Sequence, residues 1–261
     1  MRATYFGSYD FNAAGVGVIE TAAPRGFASG LIAIPGANGA YDSFGSGQSP
    51  KRPSQVSVRF QVGKTASLSV DQQLAAFMQA ATGGQQWLKV LLVDGTTTYR
   101  ALAKCIDVQP AFSRRTLVAL PLTAIFELAE PYWYADSTTT LTFAVSASPT
   151  DISLTNAGTA PLTKATLQFV GTCNTPKFLN NTNGYSIQVN QNLATSKTLL
   201  IDLGAQAITV DGVDAWADKQ VPATQVGLFK WDVGVNSVSF IAAGGGTPSG
   251  IVTIIYRATY Q

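Results

Sequence analysis

Side chains that could act as general bases or nucleophiles are scarce in this sequence. The chain contains no histidine, which removes the commonest general base at neutral pH and the commonest ligand of transition metals. Only three glutamates are present, and a carboxylate pair formed by Glu127 and Glu130 could in principle hydrolyse a glycosidic bond. Both lie near the end of a β-type run, so a solvated strand end explains them better. We therefore predict that the chain is not an enzyme.

The candidates for metal binding are also weak. The two cysteines, Cys105 and Cys173, are too few for a Cys-rich zinc site, and we expect unlinked thiols. The densest acidic group comprises Asp202, Asp211, Asp214 and Asp218. Their spacing does not match the EF-hand pattern, so structural calcium is only a minor alternative. The sequence thus predicts no metal and no cofactor.

Three aromatic side chains in the second half of the chain are candidates for sugar binding. The rings of Tyr185, Trp216 and Trp231 could stack on a carbohydrate. Aromatic side chains more often pack in a core or under a loop, which is the competing interpretation. A carbohydrate-binding adhesion module therefore stays open as an alternative function.

The low charge of the chain limits the classes of partner. Charged residues make up 12% of the 261 residues and the formal net charge is +2, whereas about 25% charged residues is typical of soluble domains. So small a charge does not indicate a dedicated nucleic-acid binder. Residues 1–134 carry eleven Lys and Arg against eight Asp and Glu, hence a charge of +3. Because Arg suits fixed contacts between proteins, we expect the assembly surface in this half.

Alternation of apolar and polar residues predicts mostly β structure. Residues 56–62 alternate as in a strand with one buried face, and Asp94-Gly95 between two apolar runs predicts a hairpin. In the run that ends at Leu128, Pro121 indicates a bulge or an edge position. One segment differs: Ser69 and Gln72 have the spacing of a capping box and precede a Leu/Phe/Met stripe that ends at Gly83-Gly84. We predict a single helix at about residues 70–82.

A polar run after residue 134 predicts the domain boundary. Residues 1–134 would form the first β domain, and residues 135–261 a second one. In the second half, short β runs recur with turn signals between them and without a helical pattern, which favours a β-sandwich. The sequence after Met1 shows no signal-type apolar run, and no stretch of about 18 apolar residues follows, so we expect the chain to fold in a cytoplasm.

The order of these features resembles a known family, the distal tail proteins (Dit) of bacteriophages with long non-contractile tails. The likeness begins with the opening motifs at residues 24–27 and 34–39, followed by the strand, the helix and the hairpin. The run from Phe126 to Tyr134 is similar to the family's junction signature, of which the core is Pro131, Tyr132, Trp133 and Tyr134. In the second half, Val210-Asp211-Gly212 and the residues 234–238 stand in the order of the family's galectin-like sandwich.

The resemblance implies a structural virion protein at the distal end of the tail. In such a protein, the first domain is a sandwich- or barrel-like β domain that forms a hexameric ring. The ring, or baseplate hub, joins the tail tube to the tail-tip and receptor-binding apparatus and lets DNA pass through its lumen. The second domain is a galectin-like or carbohydrate-binding-module-like sandwich. Another tail tube or tip adaptor protein is the nearest alternative.

Overall fold

The computed structural model describes residues 1–22, 31–33, 40–42, 55–111, 118–130, 132–220 and 226–260. The opening motifs at residues 24–27 and 34–39, and Pro131 of the junction, lie outside these residues. The chain divides into two compact units, Met1–Trp133 and Tyr134–Gln261. Each unit is built almost entirely from antiparallel strands, so the predicted mainly β fold class is confirmed.

In its described residues, the first unit contains one helix and nine strands. The helix α1 spans Val70–Ala81, and the strands are β1 (Arg2–Phe6), β2 (Tyr9–Asp10), β3 (Val16–Ala22), β4 (Leu31–Ala33), β5 (Ala40–Asp42), β6 (Gln55–Gly63), β7 (Gln85–Leu91), β8 (Thr98–Pro110) and β9 (Ala119–Leu128). A short strand, β10 (Trp133–Ala135), crosses the division between the units.

Seven of these strands form one curved antiparallel sheet in the order β2-β1-β7-β8-β9-β6-β3. The predicted alternation in β6 is confirmed, because Val56, Val58, Phe60 and Val62 are fully buried while their neighbours face outward. The expected barrel-like closure is wrong for the described strands, since β2 and β3 remain the two ends of the sheet. The sheet curves until β3 approaches β1. A hydrogen bond from the Ala3 amide of β1 to Thr21 Oγ1 of β3, 2.9 Å long, joins the two strands.

The helix begins at the predicted capping box and covers the concave core. Ser69 Oγ accepts from the Gln72 amide at 3.2 Å, and Gln72 Oε1 accepts from the Ser69 amide at 2.9 Å. Phe77 is fully buried, with ring centroids 4.9 Å from Phe60 and 5.1 Å from Tyr9. Met78, which the sequence pattern included in the buried stripe, is 39% exposed. The core-facing stripe therefore runs through residues 70, 73, 77, 80 and 81.

Two local predictions in this sheet need correction. The strands β7 and β8 do pair across Asp94-Gly95, but the turn is not a two-residue turn with two positive φ angles. Gly95 alone has a positive φ, and the Asp94 carboxylate accepts from the amides of Thr96 and Thr97. Pro121 lies on β9, an interior strand, so the edge prediction is wrong. It is tolerated there because β8 ends beside it, where the Ala111 amide donates to the Pro121 carbonyl at 2.9 Å.

The second unit is a sandwich of two antiparallel sheets, as predicted. Its strands are β11 (Thr139–Val145), β12 (Thr150–Asn156), β13 (Ala165–Asn174), β14 (Pro176–Asn180), β15 (Ser186–Gln188), β16 (Asn192–Leu193), β17 (Thr198–Asp202), β18 (Ala207–Val210), β19 (Val213–Asp214), β20 (Gly234–Ala242), β21 (Ser249–Tyr256) and β22 (Thr259–Tyr260). One sheet has the order β11-β21-β13-β17-β18-β19 and the other β12-β20-β14-β15. Phe169 and Phe240, one from each sheet, stack with ring centroids 4.6 Å apart.

None of the helices in the described part of the chain is long and apolar enough to cross a membrane.

Substitutions at two neighbouring positions of α1 test which face of the helix packs against the core of the first unit. Phe77→Ala should lower the free energy of unfolding by about 3–5 kcal/mol, because it removes a fully buried ring from an aromatic cluster. Met78→Ala is the matched control and should cost less than about 1 kcal/mol, since that side chain is largely in solvent. Urea unfolding followed by fluorescence measures both. Equal losses for the two variants would contradict this orientation of α1.

Candidate assembly surface

The two glutamates considered as a catalytic pair lie at a strand end. Glu127 is exposed on β9, opposite Lys104 of β8 and Gln55 of β6 in the sheet register. Glu130 is half-buried just beyond the end of β9. A carboxylate paired across strands with a lysine on a solvated sheet face is typical of surface packing. The positions therefore favour the structural interpretation of both glutamates.

The four aspartates considered as calcium ligands each accept a hydrogen bond from a different partner. One Asp202 oxygen accepts from the Ala205 amide at 2.8 Å, and one Asp214 oxygen from the Trp216 amide at 3.0 Å. Asp211 accepts from the Thr198 amide at 2.8 Å and Asp218 from the Gln191 side chain at 2.6 Å. In the part of the chain that the structure describes, His, Cys, Asp and Glu side chains form no group of three suited to a metal.

The three sugar-stacking candidates are not equivalent. Trp231 is fully buried, with its ring centroid 5.3 Å from that of Phe229, so it is a core residue and its proposed role in stacking on a sugar is wrong. Tyr185 and Trp216 are half-buried against the same core. The Lys219 ammonium lies 3.9 Å from the centre of the Trp216 ring and so occupies one of its faces. Sugar binding by these two residues stays a prediction.

The junction motif supplies aromatic side chains to both units. Trp133 packs against the core of the first unit. Tyr134 is buried in the second unit, where the Lys164 ammonium lies 5.5 Å from its ring centre. Tyr132 is half-buried. These positions give the motif a structural use, as anchors at the point where the chain passes from one unit to the next.

An outward-facing group on β1, β7 and β8 escaped the sequence analysis. It comprises Tyr5, Trp87, Lys89, Arg100 and Leu102, and we call it the aromatic–arginine face. Tyr5 pairs in register with Lys89, Lys89 with Arg100, and Trp87 with Leu102, so all five project from the side of the sheet opposite the core. Tyr5 is 40% and Trp87 38% exposed. The signal was present as alternation in residues 85–91, but alternation alone does not tell which face is buried.

The composition of this face is typical of a protein–protein contact. The Arg100 guanidinium carbon lies 4.2 Å from the centre of the Trp87 ring, a cation–π arrangement that holds both side chains in place. Tryptophan, tyrosine and arginine are the residues most enriched among interface hot spots. An outer sheet face that presents all three types beside Lys89 is suited to bury them against another protein.

Three buried asparagines stiffen one end of the second unit. Asn156, Asn180 and Asn236 are each at most 1% exposed. Their amide nitrogens donate to backbone carbonyls: Asn180 to Lys230 at 2.7 Å, Asn156 to Ala160 at 2.9 Å and Asn236 to Asp232 at 2.8 Å. A half-buried neighbour, Asn183, also donates to the Lys230 carbonyl, at 3.0 Å. The loop between residues 230 and 236 is thus fixed from several sides.

Removal of one of these amides tests that account. Asn236→Ala should lower the free energy of unfolding by about 1–3 kcal/mol, because the part-buried Asp232 amide loses its acceptor and the Asp232 carbonyl keeps only the longer bond from Asn156. Asn183→Ala should have a smaller effect, since that side chain is half-exposed and water can replace it. Chemical denaturation measures both variants. A larger loss for Asn183→Ala than for Asn236→Ala would contradict the account.

Both cysteines are free, Cys105 half-buried and Cys173 buried. Burial raises the pKa of the Cys105 thiol, and it raises the pKa of Cys173 to about 11. Because the thiolate is the reactive form, Cys173 should hardly react at pH 8 in the folded protein. We expect a disulfide reagent to titrate one thiol per chain before denaturation and two after it. In Cys105→Ser the native count should fall to none, and a native count that stays at one would show that Cys173 is accessible.

Comparison with known proteins shows what the second unit resembles. The family model described as "Siphovirus-type tail component, C-terminal domain" matches residues 155–260. No curated protein sequence matches the chain. Among known structures, the Dit protein of phage SPP1, described as a paradigm of the hub adsorption apparatus, aligns with a TM-score of 0.70 at 11% identity over 98% of both chains.

A second group of similar structures comes from the baseplate of phage p2. Its activated conformation with Ca aligns with a TM-score of 0.55 at 10% identity, over 97% of this chain and 93% of that chain. The form with Sr aligns with a TM-score of 0.54 at the same identity and coverage. At such low identities, these alignments show a shared fold, which extends over both units.

Proposed function

We propose that this chain is a structural protein of the distal phage tail and that it forms a ring of six. The match of residues 155–260 to the siphovirus-type tail component model and the fold shared with the SPP1 Dit protein support the proposal. The ring would be closed by the first unit and would join the tail tube to the tail-tip or receptor-binding proteins. Viral DNA would pass through its lumen. The aromatic–arginine face is the observation that carries the proposal.

A cyclic ring needs two different surfaces on each copy, because every copy meets its neighbours head to tail. The aromatic–arginine face supplies one of them. It lies on three neighbouring strands of a rigid sheet, so its side chains have nearly fixed positions before assembly. The Trp87 ring is already ordered by Arg100, which reduces the entropy lost when a neighbour covers it.

The charge of the chain agrees with a lumen that DNA crosses without being held. Affinity for DNA grows with the number of phosphates neutralised by Lys and Arg. With a net charge of +2 on 261 residues, each copy attracts DNA only weakly. A protein of this kind is suited to guide DNA and not to retain it.

Truncation of Trp87, the largest side chain of the aromatic–arginine face, tests the proposed contact. Trp87→Ala should shift the full chain from rings towards single copies, because hot-spot truncations typically cost 2 kcal/mol or more at each contact, about 30-fold in its dissociation constant. Trp87→Phe should retain most of the assembly, since it keeps an aromatic ring. Native mass spectrometry across a concentration series measures the distribution.

The control variant is Val93→Ala, which truncates an apolar side chain of the same unit at the β7–β8 turn that is more exposed than Trp87, 92% against 38%. It should leave the ring intact. The proposal fails if the wild-type chain is a single copy at every concentration and images of the virion place no ring of this protein at the tail end. A ring that persists in Trp87→Ala would move the contact to another surface of the first unit.

A further inference from the structure

The two sheets of the second unit have four edge strands, and three of them have features that oppose pairing with another chain. The strand β19 has only two residues and carries Asp214, and β15 has only three residues. The seven-residue strand β12 carries the exposed Asp151. Short edges and charged edge residues are the usual means by which proteins keep sheet edges apart.

The fourth edge strand, β11, lacks these features. It runs Thr139–Val145 with the sequence TTLTFAV, which has no charge, proline or glycine. All seven residues pair with β21 in unbroken register. Among the described strands, β11 is the end of its sheet, so its other side has no strand beside it. An uncharged regular edge of this length is a template for a further strand.

The side chains of β11 show that its core-facing side is incompletely covered. Leu141 and Phe143 lie opposite Ile254 and Val252, which are fully buried. Leu141 and Phe143 nevertheless remain half-exposed, although they pack against the same core. A strand beyond β11 would cover them and add apolar contacts to those already made.

We propose that β11 pairs with β11 of a second copy of this chain, antiparallel, across a two-fold axis through Thr142. The two seven-stranded sheets would then join into one. The other edges of the sandwich are poor partners, since β19 and β15 are too short to cover seven residues and β12 would bring a carboxylate into the pair.

The side-chain alternation fixes the register of this pair. Residues opposite each other in an antiparallel pair point to the same face, so the axis must pass through a residue and not between two. An axis at Thr142 gives the full seven-residue overlap and places Leu141 against Phe143 of the other copy. The strand is self-complementary in this register, because apolar side chains meet apolar ones and no charges meet.

The row of side chains on the outward face continues the contact. Ala144, Ile251 and Val170 are neighbours across β11, β21 and β13, and Ile251 is 49% exposed. Pairing of two copies brings these uncharged rows of their outward faces side by side. The inference does not depend on the proposed ring, since it concerns the second unit.

A charge placed on the axis tests the pairing in the full chain. In Thr142→Lys, two ammonium groups would lie opposite each other, so the mass of the particle seen by native mass spectrometry and sedimentation should fall to one half. Thr209→Lys is the matched control: it adds the same charge to the same sheet face, four strands from the edge, and should leave the mass unchanged. An unchanged mass in Thr142→Lys, or a wild-type particle with an odd number of chains, would overturn the proposal.

Cysteine pairs provide a second test, which decides the matter if Thr142→Lys fails to fold. In a Cys105→Ser background, Thr142→Cys should form a disulfide between copies under mild oxidation, because opposite Cα atoms in an antiparallel pair are about 4.5–5.5 Å apart. Thr140→Cys alone should react roughly tenfold more slowly, since its partner position is 144. The double variant Thr140→Cys/Ala144→Cys should restore the fast reaction.

The outcomes for pairing and for the ring are separable. Equal rates for the 140 and 142 single variants would refute the register and the pairing with it. A particle of six chains that never associates into twelve would overturn the pairing and support the ring. A particle of two chains that never forms a ring would support the pairing and overturn the ring.

Discussion

Backbone hydrogen bonding at the edge strands of open sheets is the constraint on which this structure depends. An antiparallel sheet satisfies the amides and carbonyls of its interior strands but leaves those of its two outermost strands to water or to another chain. The first unit curves its sheet until β1 and β3 approach at the Ala3–Thr21 contact, without closing it. The second unit protects three of its four edges by short length or a carboxylate. Among the described strands of this unit, β11 is the edge that has neither of these protections.

The low content of charged residues also favours contact between copies of the chain. Charged side chains both solubilise a sheet face and oppose contact between faces, and only 12% of this chain is charged. On the first unit, the exposed ring of Trp87 is held by the Arg100 guanidinium. On the second unit, buried asparagines hold the loop at residues 230–236, so rigidity is obtained without charge. Both devices give preformed surfaces, which lose little entropy on contact with a partner.

Local sequence patterns were sufficient to predict helices and strands. They failed where the position of a residue depends on contacts with residues that are distant in the chain. The capping box at Ser69 and Gln72 placed the start of α1, since its hydrogen bonds span three residues. Met78 was assigned to the buried stripe although it is exposed, because the helix turns a slightly different face to the sheet. Pro121 was assigned to an edge because the sequence does not show that β8 ends beside it. The sugar-stacking role of Trp231 failed for a similar reason, since Phe229 and the two sheets enclose its ring.

The sequence by itself determined the mainly β class, the single helix predicted near residue 70 and the resemblance to tail proteins, because alternation, capping and motif order are properties of neighbouring residues. The tertiary structure alone decided which tryptophan is buried and which is exposed: Trp231 lies inside the sandwich and Trp87 on an outer sheet face. It also decided which strands end their sheets. The physical reason is that burial and edge position depend on strands that are far apart in the chain and meet only when the sheets have formed.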